Sequence, residues 1–437
     1  MKRVAPSTRL KQEIQQLLAA GLPPAAADEP AGPALRPVPE DPAGQLVRLD
    51  ARLVLQEALE QEQADFLGRS RYERTDQARG QRNGYAKAAL KTAEGRLEVA
   101  LPQVRGADQP LRSRLMAFLG AHTDLLERLA VEMYARGLST RDVEEAFTDS
   151  TGSPLLSKSG VSELTQALWE EYEAFQKHDL SGYEVAYLFV DAIYESLREQ
   201  AGAKEAVLCC WAILNDGRKV LVHLALGNKE SYQDWLGFFR SMVSRGLQTP
   251  VSVTSDGAPG LIRAIGEVFG QSLRIRCWFH KMGNVLSKVP ESAKEEVRGH
   301  LRAIRDAPTH AVGETMAAAF LQEFRSRYPS AVACLEDDLE ASLSHLRLPG
   351  DHRIYCRTTN LVERSFVEER RRTKIIPRFR SEKSCLKLVF ATMIRASKRW
   401  SRVRMTELHQ AQLERLRQEL GQTPPPATTH EKTRIAA

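Results

Sequence analysis

A chain of 437 residues has room for two or three domains and at least one large hydrophobic core. Its net charge of +6 is too small to make the whole surface a polyanion-binding face, so any such face must be local. No apolar run is long enough to span a bilayer, the first residues lack a signal-peptide core, and the six cysteines follow no disulfide framework; a reduced, cytoplasmic protein with no membrane partner is expected.

A short amphipathic helix opens the chain. Residues from about Gly21 to Gly44 are rich in Pro and Ala and read as a flexible linker, which makes a first segment of 1–45. Apolar residues then recur at helical spacing from Leu46 to Leu67. Arg82-Asn83-Gly84-Tyr85 is a turn signal, and Leu97, Val99 and Leu101 alternate up to Pro102 as a short strand or hairpin. Residues 46–122 are read as a small helical and hairpin module, and 123–180 as a mostly helical region. In the latter, Leu125, Leu126, Leu129, Val131, Met133 and Tyr134 form an apolar face that Gly137 ends, and Ser139 or Thr140 caps a helix from Arg141 to Phe147. After Gly152 and Pro154, Ser157 precedes a helix from Lys158 to Ala174. A short helix, a turn and a helix headed by Ser157-Lys158-Ser159 fit either a helix-turn-helix or an ordinary bundle.

The period changes in the centre. Val185–Val190, Glu205–Leu214 and Lys219–Leu226 read as strands, the last two joined by the hairpin turn Asn215-Asp216-Gly217. Ser231 and Asp234 form a capping-box pattern ahead of a helix that turns Trp235, Phe238, Phe239 and Met242 inward. Strand Val251–Ser255, helix Leu261–Phe269 and strand Leu273–Cys277 follow. Three strands that pair antiparallel, then two joined in parallel through helices, make a ribonuclease-H-like mixed sheet. In that order the first and fourth strands are neighbours, so Asp191 and Asp256, which end them, lie side by side. This α/β core occupies 181–282, and a helical insertion runs over 283–357. Residues 358–408 complete the core with Glu363 and a basic face, and 409–437 form a tail.

Two strand-end aspartates and a helical glutamate are what a divalent-cation site for phosphoryl transfer requires. Two Mg²⁺ ions about 3.5–4 Å apart activate one oxygen and stabilise the other in an in-line displacement. Glu363 has a second reading, since Asn360 stands three residues before it in a capping pattern. Arg370 lies two turns beyond Glu363, where it can hold a phosphate. Between Arg364 and Arg404, fourteen Lys/Arg stand against three acids, a solvated face or a surface for nucleic acid. Cys277-Trp278-Phe279-His280 supplies half a zinc site, but no second pair of convincing spacing follows; Cys277 is expected to pack at a strand end, with His280 near the metal pocket or a phosphate.

The run Tyr187-Leu188-Phe189-Val190-Asp191-Ala192-Ile193-Tyr194, with Ser255-Asp256-Gly257, Cys277-Trp278-Phe279-His280, Thr358-Thr359-Asn360-Leu361-Val362-Glu363-Arg364 and Arg370-Arg371-Arg372-Thr373, resembles the DDE transposases of the Mutator-like bacterial insertion-sequence family. Tyr134–Asp142 and Ser157-Lys158-Ser159 match as well, and the resemblance runs from roughly Arg82 to Trp400. It departs at Ala258-Pro259, where the proline is expected to stiffen the loop. The resemblance implies Asp191, Asp256 and Glu363 as catalytic residues and metal ligands, Mg²⁺ as cofactor with Mn²⁺ able to replace it, and a supporting role for Cys277 and His280. It implies a helix-turn-helix for terminal inverted repeats, to which Arg141, Lys158 and Ser159 would contribute. Arg364, Arg370, Arg371, Arg372 and Lys374 would meet DNA beside Glu363. The expected activity is DNA cleavage and strand transfer by a nucleoid-associated protein, dimeric when two DNA ends are held. A structure-selective nuclease without joining activity and a non-catalytic repressor are the alternatives.

Overall fold

The computed structural model describes residues 4–19, 42–73, 75, 79–93, 95–120, 122–148, 153–197, 204–227, 230–374, 376, 378, 379, 381–398 and 400–422. The chain divides into two compact units, Met1–Gln166 and Ala167–Ala437. Among the described residues no helix is long and apolar enough to cross a membrane.

The first unit begins with α1 (Pro6–Ala19) and α2 (Pro42–Leu67), which join where the Ser7 hydroxyl donates to Glu60 Oε2 at 2.8 Å. Helix α2 starts before Leu46 because Pro42 suits a first helical position, so the end of the expected linker is helical; the rest of it lies outside the described residues. Strands β1 (Gln81–Thr92) and β2 (Gly95–Arg105) form an antiparallel hairpin. Gln56 of α2 clamps it, accepting from Ala100 N–H at 2.8 Å and donating to Ala100 O at 2.9 Å. Asn83-Gly84 is not the turn. Gly84 takes φ 82° inside β1, where the register shifts between Arg82 and Tyr85, so the pair makes a bulge. Pro102 sits opposite that bulge, and β2 runs on through it.

Helix α3 (Arg114–Leu119) leads to α4 (Asp124–Ala135), α5 (Thr140–Ala146) and α6 (Lys158–Leu164). The last three close on Leu126, Ala130, Val143, Leu155, Leu156 and Val161. Gly137, at φ 99°, makes the tight connection, and it lies between α4 and α5. Ser139 and Asp142 form a capping box at α5, and Ser157 caps α6 by accepting from Gly160 N–H at 3.1 Å. The connection from α5 to α6 spans 147–157, longer than a helix-turn-helix turn. The single helix expected from Lys158 is broken at Thr165, whose hydroxyl bonds back to Ser162 O at 3.0 Å.

In the second unit α7 (Gln166–Lys177) precedes strands β3 (Val185–Ser196), β4 (Lys204–Leu214) and β5 (Lys219–Gly227), helix α8 (Tyr232–Ser244), strand β6 (Ser252–Ser255), helix α9 (Pro259–Val268) and strand β7 (Leu273–Arg276). The sheet order is β5-β4-β3-β6-β7, antiparallel through the first three strands and parallel through the last two pairings. Every β4 residue after Lys204 is buried, so this strand has protein on both faces. On one face α8 and α9 bring Trp235, Phe238, Phe239, Met242, Leu261 and Ile265 against Leu188, Val190, Cys210 and Ala212.

Helices α10 (Trp278–Leu286), α11 (Lys294–Arg305), α12 (His310–Phe324), α13 (Pro329–Glu336) and α14 (Leu339–Leu343) make the insertion, with their own core of Trp278, Val285, Leu301, Phe320, Phe324 and Leu335. The chain returns through α15 (Arg353–Cys356), tied to the sheet where the Thr254 hydroxyl donates to Cys356 O at 2.8 Å. Helices α16 (Asn360–Thr373) and α17 (Glu382–Ser397) cover the other sheet face, where Trp211 Nε1 donates to Ser365 Oγ at 3.1 Å. Residues 407–419, most of which the sequence pattern places in the tail, form α18 (Glu407–Glu419). Its Arg417 donates to Val185 O at 2.9 Å and Thr249 O at 3.1 Å, which fastens it to the sheet. The chain beyond Gln422 lies outside the described residues.

The hairpin glycine offers a direct test. Gly217 sits at φ 80° and accepts from Val403 N–H at 2.9 Å, so a Cβ there would run into the Val403 carbonyl. Gly217→Ala should cost about 3 kcal/mol and lower Tm by about 8 °C. Thermal denaturation checks it, and an unchanged Tm contradicts the packing.

Candidate active site

The β3–β6 ladder ends at Phe189 opposite Thr254. Asp191 and Asp256 each lie two residues further on, so the parallel register brings them level. Asp256 follows the end of β6, as the sequence indicates. Asp191 does not end its strand: β3 continues to Ser196, because β4 pairs with it from Asp191↔Cys209 through Ser196↔Lys204. Asp191 is therefore held by the sheet rather than by a loop. Its Oδ1 accepts from Ala192 N–H at 2.9 Å, and Asp256 Oδ1 accepts from Ala258 N–H at 3.1 Å.

The residues after Asp256 have physical reasons. A Cβ at Gly257 would collide with the guanidinium of Arg276, which is 6% exposed. Gly260 lets α9 approach α8, since a Cβ there would stand 2.9 Å from Tyr232 N. Pro259 does not stiffen a loop; it opens α9 at a first-turn position.

Glu363 is in the first turn of α16. The residue before the helix is Thr359, not Asn360, so the Asn360–Glu363 capping pattern is not formed. Thr359 instead lies between two groups, its hydroxyl 2.9 Å from Glu363 Oε1 and 3.4 Å from Cys277 Sγ. With one proton to give, it donates to the nearer carboxylate, while its backbone N–H donates to Cys277 Sγ at 3.4 Å. Cys277 is fully buried at the end of β7 and heads α10.

The charges converge. Burial pushes the Asp191 carboxyl up to about 7; the Ala192 N–H and His280 oppose this, and the charges of Asp256 and Glu363 add to it. The adjacent Cys277 sulfur raises His280 to about 9 against burial, and the charges of Cys277, Asp191 and Glu363 add to the rise, although the buried His280 Nδ1 meets no hydrogen-bond partner of good geometry. Burial would push the Cys277 thiol up, but hydrogen bonds from His280 and Thr359 outweigh it and hold the thiol below its usual range. Ligand atoms of Cys277, His280 and Glu363 lie within 4.8 Å of one another. Three donors fall short of a closed zinc set, and Cys277 already accepts from the Thr359 N–H, a contact that ties α10 to α16. Asp191, Asp256 and Glu363 are oxygen donors of the kind that hard divalent cations take, and Asp191 feels the charges of the other two, although the three are not gathered within 4.8 Å of one another.

Sequence reading missed Thr359, Arg276 and Glu230. Glu230 stands at φ 53°, and burial, then the Asp256 charge, raise its carboxyl while a hydrogen bond from Tyr194 opposes them. Thr359 lies within the Thr358–Arg364 motif, and its spacing of four from Glu363 was the available signal; Arg276 and Glu230 carry none.

The basic residues are placed unequally. Arg141, Lys158 and Ser159 are exposed in the first turns of α5 and α6, in the first unit. Arg370 and Lys374 are exposed at the far end of α16. Arg371 and Arg372 pair with Glu368 at 2.6 and 2.8 Å, and Arg364 lies over the Trp400 ring at 6.0 Å. Lys387 of α17, which belongs to the basic run between Arg364 and Arg404, is buried.

The sheet register levels two aspartates, and Asp191 feels the charge of the helical Glu363. Residues 40–403 match the family model for the transposases of the Mutator family, and the chain belongs to that family. It is similar to the transposase for insertion sequence element ISRM5 of Rhizobium meliloti (strain 1021), 33% identical over 351 residues, covering 80% of this chain and 87% of that protein. The transposase for IS6120 of Mycolicibacterium smegmatis is 35% identical over 277 residues, 63% of this chain and 85% of that one. The transposase for IS256 in transposon Tn4001 of Staphylococcus aureus is 27% identical over 350 residues, 79% and 89% of the two chains.

The raised Asp191 carboxyl has a consequence for stability. Its folded value near 7 lies above the unfolded value near 3.9, so folding takes up a proton between these values. Stability then falls as pH rises through that window. Without divalent cations, Asp191→Asn should be more stable than wild type at pH 8, by on the order of 2 kcal/mol given partial solvent access. The gain should vanish near pH 4. Melts at both pH values check this, and an equal gain at each contradicts it.

Proposed function

We propose that this protein is the transposase of an insertion sequence, which cuts DNA at the element's ends and joins the released ends to a target, with Asp191, Asp256 and Glu363 holding Mg²⁺, or Mn²⁺ in its place. The convergence of these three carboxylates from β3, β6 and α16 carries the reading. Family membership and the relatives' names support it. The strand order, with three antiparallel strands followed by two parallel ones, favours the ribonuclease-H-like interpretation.

Bound divalent cations would lower the cost of forming an attacking oxyanion and offset charge on the leaving oxygen. The chain supplies the rest. The sheet fixes Asp191 and Asp256 at one level, and Thr359 orients Glu363 through its hydroxyl. His280, raised to about 9, places a positive charge near Asp191 and Glu363. In the first reaction, water attacks a phosphodiester and the 3′-oxygen leaves as a hydroxyl. In the second, that hydroxyl attacks another phosphodiester, so one P–O bond forms as one breaks. Exposed Arg370 and Lys374 are suited to DNA phosphates near Glu363, and Arg364, Arg371 and Arg372 extend that surface. Arg141, Lys158 and Ser159 head two capped helices of the first unit and are suited to the inverted repeats. Two ends must be held at once, which favours a dimer on DNA at the nucleoid.

Asp191→Asn, Asp256→Asn and Glu363→Gln each remove a ligand charge at nearly constant shape. Each should reduce cleavage of a labelled end by at least about a thousandfold while leaving DNA binding within about threefold. Wild type with Mg²⁺ and a pre-cut end should give joined product. Cleavage without joining would point to the nuclease alternative, and near-normal cleavage by Glu363→Gln would remove its ligand role.

The two basic surfaces should fail differently. Arg370→Ala and Lys374→Ala should weaken binding to any duplex and reduce the salt slope by about 0.9 for each phosphate no longer neutralised. Arg141→Ala and Lys158→Ala should reduce discrimination between the element's ends and scrambled DNA, by about 1–3 kcal/mol for each base no longer read. Titrations at several salt concentrations separate the two, and a reversed pattern exchanges the assignments.

A further inference from the structure

Beside the carboxylates lies a cavity of about 620 Å³ between α10 and the segment that leads into α16. Phe279, Met282, Leu286 and Ile354 give it apolar walls, and Phe279 and Ile354 are 63% and 57% exposed. Trp278 forms a fixed side, its Nε1 donating to Ser342 O at 2.7 Å. The Phe279 ring stands 5.5 Å from the His280 ring, and His280 feels the charges of Asp191 and Glu363. His280 lines the cavity, so the cavity reaches the neighbourhood of Asp191 and Glu363, although neither carboxylate lines it. Its far wall reaches Asn360, three residues before Glu363.

Of the polar side chains in this wall, Arg305 and Arg357 pair with Asp306, and three others are not committed to a protein partner. Asn284 and Asn360 are exposed, and among the described residues their side-chain amides have no protein hydrogen-bond partner. The Thr358 hydroxyl oxygen is buried without a partner, in a residue 9% exposed. An unsatisfied buried hydroxyl costs free energy unless a ligand completes it. Two amides and a hydroxyl next to an exposed aromatic ring match one chemistry well: a flat, apolar-faced group with donors and acceptors around its edge. A lipid tail or an apolar helix would leave all three unpaired.

We propose that this cavity receives an unstacked nucleobase from the DNA strand, next to the phosphate at which the carboxylates act. The inference rests on the transposase reading. Phe279 stacks on the base, and Asn284, Asn360 and Thr358 bond its edge. Unstacking exposes the neighbouring phosphate to Asp191, Asp256 and Glu363, and the captured base fixes that phosphate's position. The volume accommodates a base together with its sugar.

The test is a cycle between base and protein. Duplexes carrying the inverted-repeat DNA that flanks the coding sequence are made with a single abasic nucleotide, placed in turn at each position around the cleaved phosphate. Cleavage with Mg²⁺ is measured for wild type, Phe279→Ala, Phe279→Trp and Asn284→Ala. At one position, loss of the base and Phe279→Ala should each slow cleavage by about tenfold, the worth of one stacking interaction, and together by no more than either alone. Phe279→Trp should restore the rate, and a thymine at that position should become reactive to permanganate in the wild-type complex. Phe279 is mostly exposed, so an unchanged Tm for Phe279→Ala excludes misfolding as the cause. If wild type cleaves intact ends but the two effects multiply at every position, the nucleobase site is wrong and the transposase reading stands. If Phe279→Ala alters only the oligomeric state, the surface is a protein contact and the proposal falls. If wild type neither binds nor cleaves the flanking repeats, the transposase reading fails and takes the proposal with it.

Discussion

The register of β3 on β6 fixes the geometry on which the rest of the site depends. The ladder closes at Phe189 and Thr254, and two residues later each strand presents an aspartate. Neither can move along its strand without turning its side chain to the other face, because side chains alternate with a period of two. Burial raises the Asp191 carboxyl to about 7, and the like charges of Asp256 and Glu363 add a smaller part. The fold must supply the stability that this arrangement costs. It does so with a sheet covered on both faces, through the aromatic cluster of α8 and α9 on one side and α16 and α17 on the other.

Glu363 comes from a segment separated from Asp256 by the whole insertion, and returning it needs separate ties. Thr254 holds the Cys356 carbonyl, Trp278 N–H donates to Arg357 O at 2.9 Å, and Thr359 meets both Cys277 and Glu363. These contacts explain the Cys277-Trp278-Phe279-His280 run without a metal of its own. Cys277 ties α10 to α16 through Thr359, His280 carries positive charge near Glu363, Trp278 seals the core of the insertion, and Phe279 is left facing outward.

Much of this was legible in the sequence because local chemistry and tertiary structure agree. The Ser231–Asp234 capping box, the Asn215-Asp216-Gly217 hairpin and the strand carrying Leu97, Val99 and Leu101 all form as their patterns indicate. The order of elements was enough to place Asp191 beside Asp256. Where reading failed, a partner distant in sequence decided the outcome. Asn83-Gly84 became a bulge because β2 continues alongside it, and Asp191 lies within a strand because β4 extends the pairing. Lys387 is buried where its helix packs, a fact that charge alone does not reveal. The supporting Arg276 and Glu230 belong to no motif; only the folded chain sets one against Gly257 and the other near Asp256.

The central claim is that the Asp191, Asp256 and Glu363 carboxylates act as one cation-binding group in which burial and mutual repulsion keep Asp191 partly protonated. Calorimetric titration of the DNA-bound protein with Mn²⁺, in two buffers of different ionisation enthalpy, measures it most directly. At pH 6, binding should release close to one proton, and at pH 8 almost none; Asp191→Asn should bind far more weakly and release none at either pH. Binding of equal strength in wild type and Asp191→Asn, with no difference in proton release between the two pH values, would contradict it.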